Sequence, residues 1–269
     1  MSASSVNIVI FGAINFPVHQ LVRYQLDGPW ERHKAILTLA PNLVEAHITV
    51  DPNNQPWLHS NDVVEASNLR RIYVSDPRIL DYVRSPALEG LALLVCTDDE
   101  SSDNLRSISS FLDRSACPLQ ALCLRGFPDP WITIQVLKKF PSITRLVLLI
   151  KGPCAGEALE ALRSGLTVSE HAMATVVAPQ LRSIFFGWGL EDDISIDYQM
   201  YLKMLRSRWG AENSALEKVA LLTEGSGPDS ATLLDLHALR NEGLDLLVLQ
   251  GPPALKEMVA WRYASSWMF

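Results

Sequence analysis

The side chains able to do chemistry are spread along this chain without the spacings that chemistry needs. Six histidines, His19, His33, His47, His59, His171 and His237, form no HxxxH or HExxH pair and have no cysteine at metal-ligand spacing, so a metal centre has no recognisable ligand set. No GxSxG places a serine on a nucleophile turn; EGSGPDS at 224–230 has the wrong spacing and reads as a polar turn before a helix. GPCAGEAL at 152–159 lacks the Lys-Ser/Thr of a phosphate loop and reads the same way. Asp98, Asp99, Glu100 and Asp103 form one acidic cluster and Glu191, Asp192 and Asp193 another. Neither has EF-hand spacing, and both fit solvated loops and helix caps, because carboxylates favour helix N-termini. Arg206 and Arg208 beside Trp209 fit a helix C-terminus. The expectation is a chain that is not an enzyme and uses neither metal nor cofactor.

Composition narrows what the elements can build. Of 269 residues, 48% are hydrophobic and 20% charged, with a net charge of -7. That supports a buried core and argues against the broad positive field of a nucleic-acid binder. The opening MSASSVNIVIFGAINF has no cationic start and is interrupted by Gly12 and Asn15, unlike a secretory signal, and no stretch is long enough to span a bilayer. Cys96, Cys117, Cys123 and Cys154 show no CxxC spacing and lie in or beside apolar runs, as buried thiols of a reducing compartment do. An intracellular chain, cytoplasmic or nuclear and not membrane-bound, is expected.

One phrase recurs. Apolar residues in an L-x-x-L-x-L pattern stand at Leu43/Ala46/Ile48, Leu69/Ile72/Val74, Leu88/Leu91/Leu93, Leu119/Leu122/Leu124, Ile143/Leu146/Leu148, Leu181/Ile184/Phe186, Leu216/Val219/Leu221 and Leu244/Leu247/Leu249. Pro41, Pro86, Pro141 and Pro179 each stand two residues before a copy, and Pro118 one residue before. Proline cannot continue a helix, so each marks a place where a helix stops and a strand starts. The starts are 26, 19, 31, 24, 38, 35 and 28 residues apart, an irregular period of strand-plus-helix units in which each buries its apolar triplet against its neighbours.

The intervening segments read as helices. Asp103 is expected to cap one through Ser115, Pro130 to open one from Trp131 to Phe140, Asp193 to cap one running toward Trp209, and Asp229 and Gly243 to bracket another. Ile8 to Phe11 reads as an irregular first strand and Pro253 to Trp267 as a closing helix. The fold expected is a single α/β leucine-rich-repeat solenoid of eight or nine irregular repeats, a curved parallel sheet with helices on its convex side. Residues 1–40 form the N-terminal cap and first irregular repeat, 41–251 the repeats and 252–269 a C-terminal capping helix. A doubly wound sheet is the rival, but no strand-like run is followed by GxGxxG or GxxxxGK[ST].

The strings LAPNLVEAHITV, NLRRIYVSDPRILDYVRSPALEGLAL, FLDRSACPLQALCL, APQLRSIFFGWG and MLRSRW, in that order, resemble the leucine-rich-repeat region of the large group of fungal F-box proteins, from Ala40 to Gly251. In that group an N-terminal F-box docks on the Skp adaptor of a cullin-based ubiquitin ligase while the repeats hold the substrate. The F-box pattern LPxEILxxIF has no match before Ala40. The resemblance therefore implies a repeat fold and a substrate-binding role, with Skp and cullin as partners only if an F-box is supplied upstream. A ligase-independent scaffold or inhibitor is the alternative, and an enzyme the weaker one.

Alternation along each strand points the triplets inward and the residues between them onto the concave face. The central column is then His47, Tyr73, Ala92, Cys123, Val147, Phe185, Ala220 and Val248; the column before it includes Glu45, Arg71, Arg145 and Leu246, and the one after it Ser75, Arg125 and Leu149. Aromatic and arginine side chains on a sheet face are typical of interface hot spots. The expected site is a protein-binding surface made by Arg71, Tyr73, Cys123, Arg125, Arg145, Val147 and Phe185. Two rivals stand beside it: plain strand propensity, and a closing segment folded back over the face.

Overall fold

The apolar phrases become parallel strands in the computed structural model, which describes residues 17–50, 63–95, 101–126, 129–150, 155–168, 176–189 and 197–263. The chain divides into two units, Met1–Leu119 and Gln120–Phe269. Unit 1 runs β1 (Arg23–Asp27), α1 (Trp30–Leu39), β2 (Glu45–Thr49), β3 (Val64–Glu65), β4 (Arg71–Val74), a 3-10 helix (Pro77–Tyr82), β5 (Val83–Arg84), β6 (Gly90–Val95) and α2 (Ser101–Ser115). Strands β1, β2, β4 and β6 lie side by side and parallel, aligning Tyr24, Ala46, Ile72 and Leu91 in one row and Leu26, Ile48, Val74 and Leu93 in another. From Ala46 to Leu93 these inward residues are wholly buried. β3 and β5 make a separate two-residue pair.

Unit 2 repeats the plan: β7 (Ala121–Gly126), α3 (Pro130–Lys139), β8 (Arg145–Ile150), α4 (Ala155–Leu166), β9 (Ser183–Trp188), α5 (Tyr198–Trp209), β10 (Lys218–Thr223), α6 (Ser230–Asn241), β11 (Asp245–Gln250) and α7 (Pro252–Tyr263). Its five strands pair in sequence order, all parallel. The inward rows face α3 to α6. Phe186 meets Tyr201 of α5 edge-on at 4.8 Å and Trp188 stacks on it at 5.4 Å.

The introductory prolines act as turn residues. Leu43, Leu88, Ile143 and Leu181 each donate their N–H to the carbonyl three residues back, at 3.1 to 3.2 Å, which places Pro41, Pro86, Pro141 and Pro179 second in a β-turn, where a fixed φ is favoured. A second device recurs with it. The carbonyls of Val22, Val44, Arg70, Gln120, Thr144 and Arg182 each accept from two successive amides of the next strand's approach. Turn, double acceptor and parallel strand thus form one backbone unit used in both halves of the chain.

Several expectations shift. A strand precedes the first phrase: Leu21 just before β1 and Tyr24 and Leu26 within it are all buried, a copy of the phrase with tyrosine in its second place. The last phrase is one residue out of phase, because Leu246 and Val248 align with Val219 and Leu221. The central-column residue of β11 is therefore Leu247, not Val248. Helix α5 is capped by Asp197, whose carboxylate accepts from Gln199 and Met200, rather than by Asp193, and α2 starts at Ser101, ahead of Asp103. Asp129 and Asp229 cap α3 and α6, and Gly243 follows α6 at φ +107, as glycine readily does. The strand expected at Ile8 to Phe11, Cys96, Cys154, both acidic clusters apart from Asp103, and the end of the closing helix lie outside the described residues.

Helix α1 buries Trp30, His33, Ile36 and Leu37. His33 Nε2–H donates to Thr49 O at 3.3 Å, which leaves Nδ1 to accept from the Tyr24 hydroxyl at 3.4 Å. Burial lowers the His33 pKa from its ordinary 6.5, against the smaller opposing pull of the Thr49 and Gly28 backbone and of Asp27. The unfolded chain therefore binds a proton below pH 6.5 that the folded chain refuses, and stability falls as pH drops through that window. His33→Gln should flatten this loss, read as denaturant midpoints between neutral and mildly acidic pH.

Candidate functional site

The strand face opposite the helices differs between the two units. In unit 1 it is polar. The row before the central column reads Arg23, Glu45, Arg71 across β1, β2 and β4. Glu45 Oε2 lies 3.5 Å from Nε of both arginines, and His47 Nε2–H donates to Glu45 Oε1 at 3.1 Å. Burial works to raise the Glu45 pKa, but the His47 hydrogen bond and the charges of Arg23 and Arg71 outweigh it and hold the carboxyl below its ordinary value. The His47 ring tilts against Tyr73 with centroids 5.8 Å apart. The Arg23 side chain is 51% exposed and that of Arg71 26%, while Tyr73 is half-buried. Sequence reasoning singled out Arg71 and Tyr73 but missed that Glu45 binds Arg71 and that Arg23 completes the ladder. The signal was there in the matching places of the first three phrases, had the tyrosine-containing phrase been recognised.

In unit 2 the same face is apolar and covered. Helix α7 crosses to the side opposite α3 to α6, where Ala254 and Met258 pack on Val147, Leu149, Phe185, Ala220 and Leu222, with Cys123 and Leu249 at the margin. Val147 and Phe185 are 5% and 4% exposed. Gly187 permits the close approach, since a Cβ there would come within 2.7 Å of Leu149 Cδ2 and Met258 Sδ. The expected open column is, at Val147 and Phe185, a buried one, because the closing helix folds back over the face rather than standing at the end of the stack. Arg125 borders a cavity of about 60 Å³ beside α7. Arg145 is half-buried, and burial pulls its guanidinium pKa down. The seven site residues are thus divided between units: Arg71 and Tyr73 on the polar face, the other five on the apolar one.

The chemistry available is limited. Burial pushes the Cys123 thiol up to about 12 and raises that of Cys117, the reverse of what a nucleophilic thiolate needs. Both are free cysteines. Among the described residues no three His, Cys, Asp or Glu side chains are grouped to hold a metal, and no helix is long and apolar enough to cross a membrane. The Glu45–His47 pair is a carboxylate and an imidazole with two arginines and a tyrosine, suited to binding a charged group.

The fold defines the class as α/β with parallel strands and intervening helices. No protein-family model matches the chain, and no curated protein matches it in sequence.

Proposed function

We propose that the chain is a non-catalytic protein-interaction module, an irregular leucine-rich-repeat solenoid that holds its partner on the unit-1 strand face around Arg23, Arg71 and Tyr73. The observation that carries this reading is the ladder in which two arginines share the Glu45 carboxylate. Two arginines on one carboxylate leave a net positive charge beside an aromatic ring, so a partner acid next to an apolar residue complements it. The recurring turn and double acceptor support the repeat reading, because they tie one backbone unit to each apolar phrase. The narrower form of the proposal, a ubiquitin-ligase substrate receptor, rests on the resemblance of residues 40–251 to F-box repeat regions.

The test is tagged copurification from the source cells, comparing the natural chain with Arg23→Ala/Tyr73→Ala, with unfolding midpoints as the control for folding. The expected result is a partner whose affinity falls about tenfold or more in the variant, as for loss of an aromatic-centred hot spot. Partners retained at the natural level would exclude the unit-1 face. Skp adaptor and cullin among the captured proteins would support the ligase form; their absence with a variant-sensitive partner would favour a ligase-independent scaffold.

A further inference from the structure

Among the described residues β11 has no strand on its outer edge, unlike the strands before it in unit 2. Asp245 N–H donates to Glu217 O and Gly251 N–H to Thr223 O, so the odd-numbered residues of β11 turn their amides toward β10. Alternation along a strand turns the N–H and C=O of Leu246, Val248 and Gln250 to the far edge, where no strand among the described residues pairs with them. Burial changes with it. Leu247 is 39% exposed and Val248 and Leu249 half-buried, whereas Ala220, Leu221 and Leu222, their partners in β10, are buried. On the helix side a cavity of about 200 Å³ opens between α6 and β11, lined by Leu233, Leu236, His237, Arg240, Leu246 and Val248 among others. This is where the inward side chains of a following strand would sit, but among the described residues no strand follows β11, and α7 leaves for the opposite face. Natural edges are usually blunted by lysine, proline or a bulge, and the sequence DLLVLQ of β11 contains neither lysine nor proline.

We propose that this edge is a homodimer interface, in which β11 pairs antiparallel with β11 of a second copy about a two-fold axis. Edge-facing amides must meet edge-facing amides, which restricts the register to pairs drawn from Leu246, Val248 and Gln250. Setting Val248 opposite its own counterpart puts Leu246 opposite Gln250 and brings exposed Leu247 opposite Leu249. Sliding by two residues one way would press the Asp245 carboxylate onto Leu249, and sliding the other way would leave exposed Leu247 opposite Gly251, so the first register is favoured. The same axis runs the two α6 helices antiparallel. It brings the Asp229 end of one beside the Arg240 end of the other, which joins opposite charges and opposed helix dipoles. One patch meeting itself is what a two-fold interface requires.

Sedimentation equilibrium of the full chain over a wide concentration range tests the proposal. The mass should climb with concentration from the monomer toward twice that value. Leu247→Lys should weaken the dimer about tenfold or more. Val248→Pro should do the same, since it removes an N–H that no bond to β10 uses. Val259→Lys, at a residue of α7 that is 44% exposed and borders the small cavity beside Arg125 rather than the β11 edge, should leave dimerisation unchanged. The unfolding midpoint of Leu247→Lys at low concentration should equal that of the monomeric natural chain, which separates a lost interface from a lost fold. A chain that stays monomeric throughout, or a dimer that survives Leu247→Lys, overturns the proposal.

Discussion

Phe185→Ala is expected to destabilise unit 2 by about 3–5 kcal/mol, the range for truncating a buried phenylalanine. The ring lies in the cluster that α7 seals, 4% exposed, among Val147, Leu149, Ala220, Leu222, Ala254 and Met258. Removing it leaves a cavity between strand and helix that neither side can close, since Gly187 has no side chain to move in. Leu255→Ala, on the same helix but 44% exposed, should cost far less, about 0.5 kcal/mol or under. Denaturant unfolding of the two variants checks both figures. If Phe185→Ala costs as little as Leu255→Ala, α7 does not seal the face, and Phe185 returns to the list of residues a partner could touch. For a domain whose whole stability is on the order of 5–15 kcal/mol, the expected loss is large enough to show as a shifted midpoint and as faster proteolysis near α7.

The strands were legible because each hides its apolar triplet from water at a fixed phase, and seven of the eight phrases align across the strands as their spacing required. Where that logic failed, a physical reason can be named. Leu21/Tyr24/Leu26 went unseen because tyrosine is not one of the aliphatic residues that mark the phrase, yet Tyr24 is buried with its hydroxyl bonded to His33. The final phrase slipped by one because Leu246, Leu247, Val248 and Leu249 are all apolar, and a run without alternation carries no phase. The destination of α7 was hidden for a related reason. Ala254, Leu255, Met258 and Val259 spread apolar residues over an arc of about 140°, so periodicity does not say which part of it lies down or against what. The candidate site inherited that uncertainty: Val147 and Phe185 were read from alternation alone, which gives the face of a strand but not what covers it. The polar ladder of unit 1 was legible in principle, because Arg23, Glu45 and Arg71 occupy equivalent places in consecutive phrases, but only after the first phrase is recognised.

Arg208→Met should cost roughly 2–4 kcal/mol, through carbonyls left without donors rather than through lost charge pairing. Arg208 is only 1% exposed and has no carboxylate partner among the described residues. Its Nε donates to Leu166 O and one terminal nitrogen to Val177 O, both at 2.6 Å, while the other terminal nitrogen reaches Ala178 O at 3.5 Å. One side chain of α5 thus ties the end of α4 to the segment entering β9, where Ala178 holds the left-handed φ of +49 that L-residues resist. Burial pushes the guanidinium pKa down to about 10, so the charge itself opposes folding and the planar fork of donors must more than offset it. Methionine fills much of the same space and removes the charge, leaving the missing donors as the main loss. Lysine separates the two contributions: it keeps a buried charge but cannot reach three carbonyls in a plane, so Arg208→Lys should be at least as destabilising as Arg208→Met. If lysine proves the milder substitution, a positive charge at this place is stabilising in itself, and an acceptor group near Arg208 beyond the three carbonyls must exist.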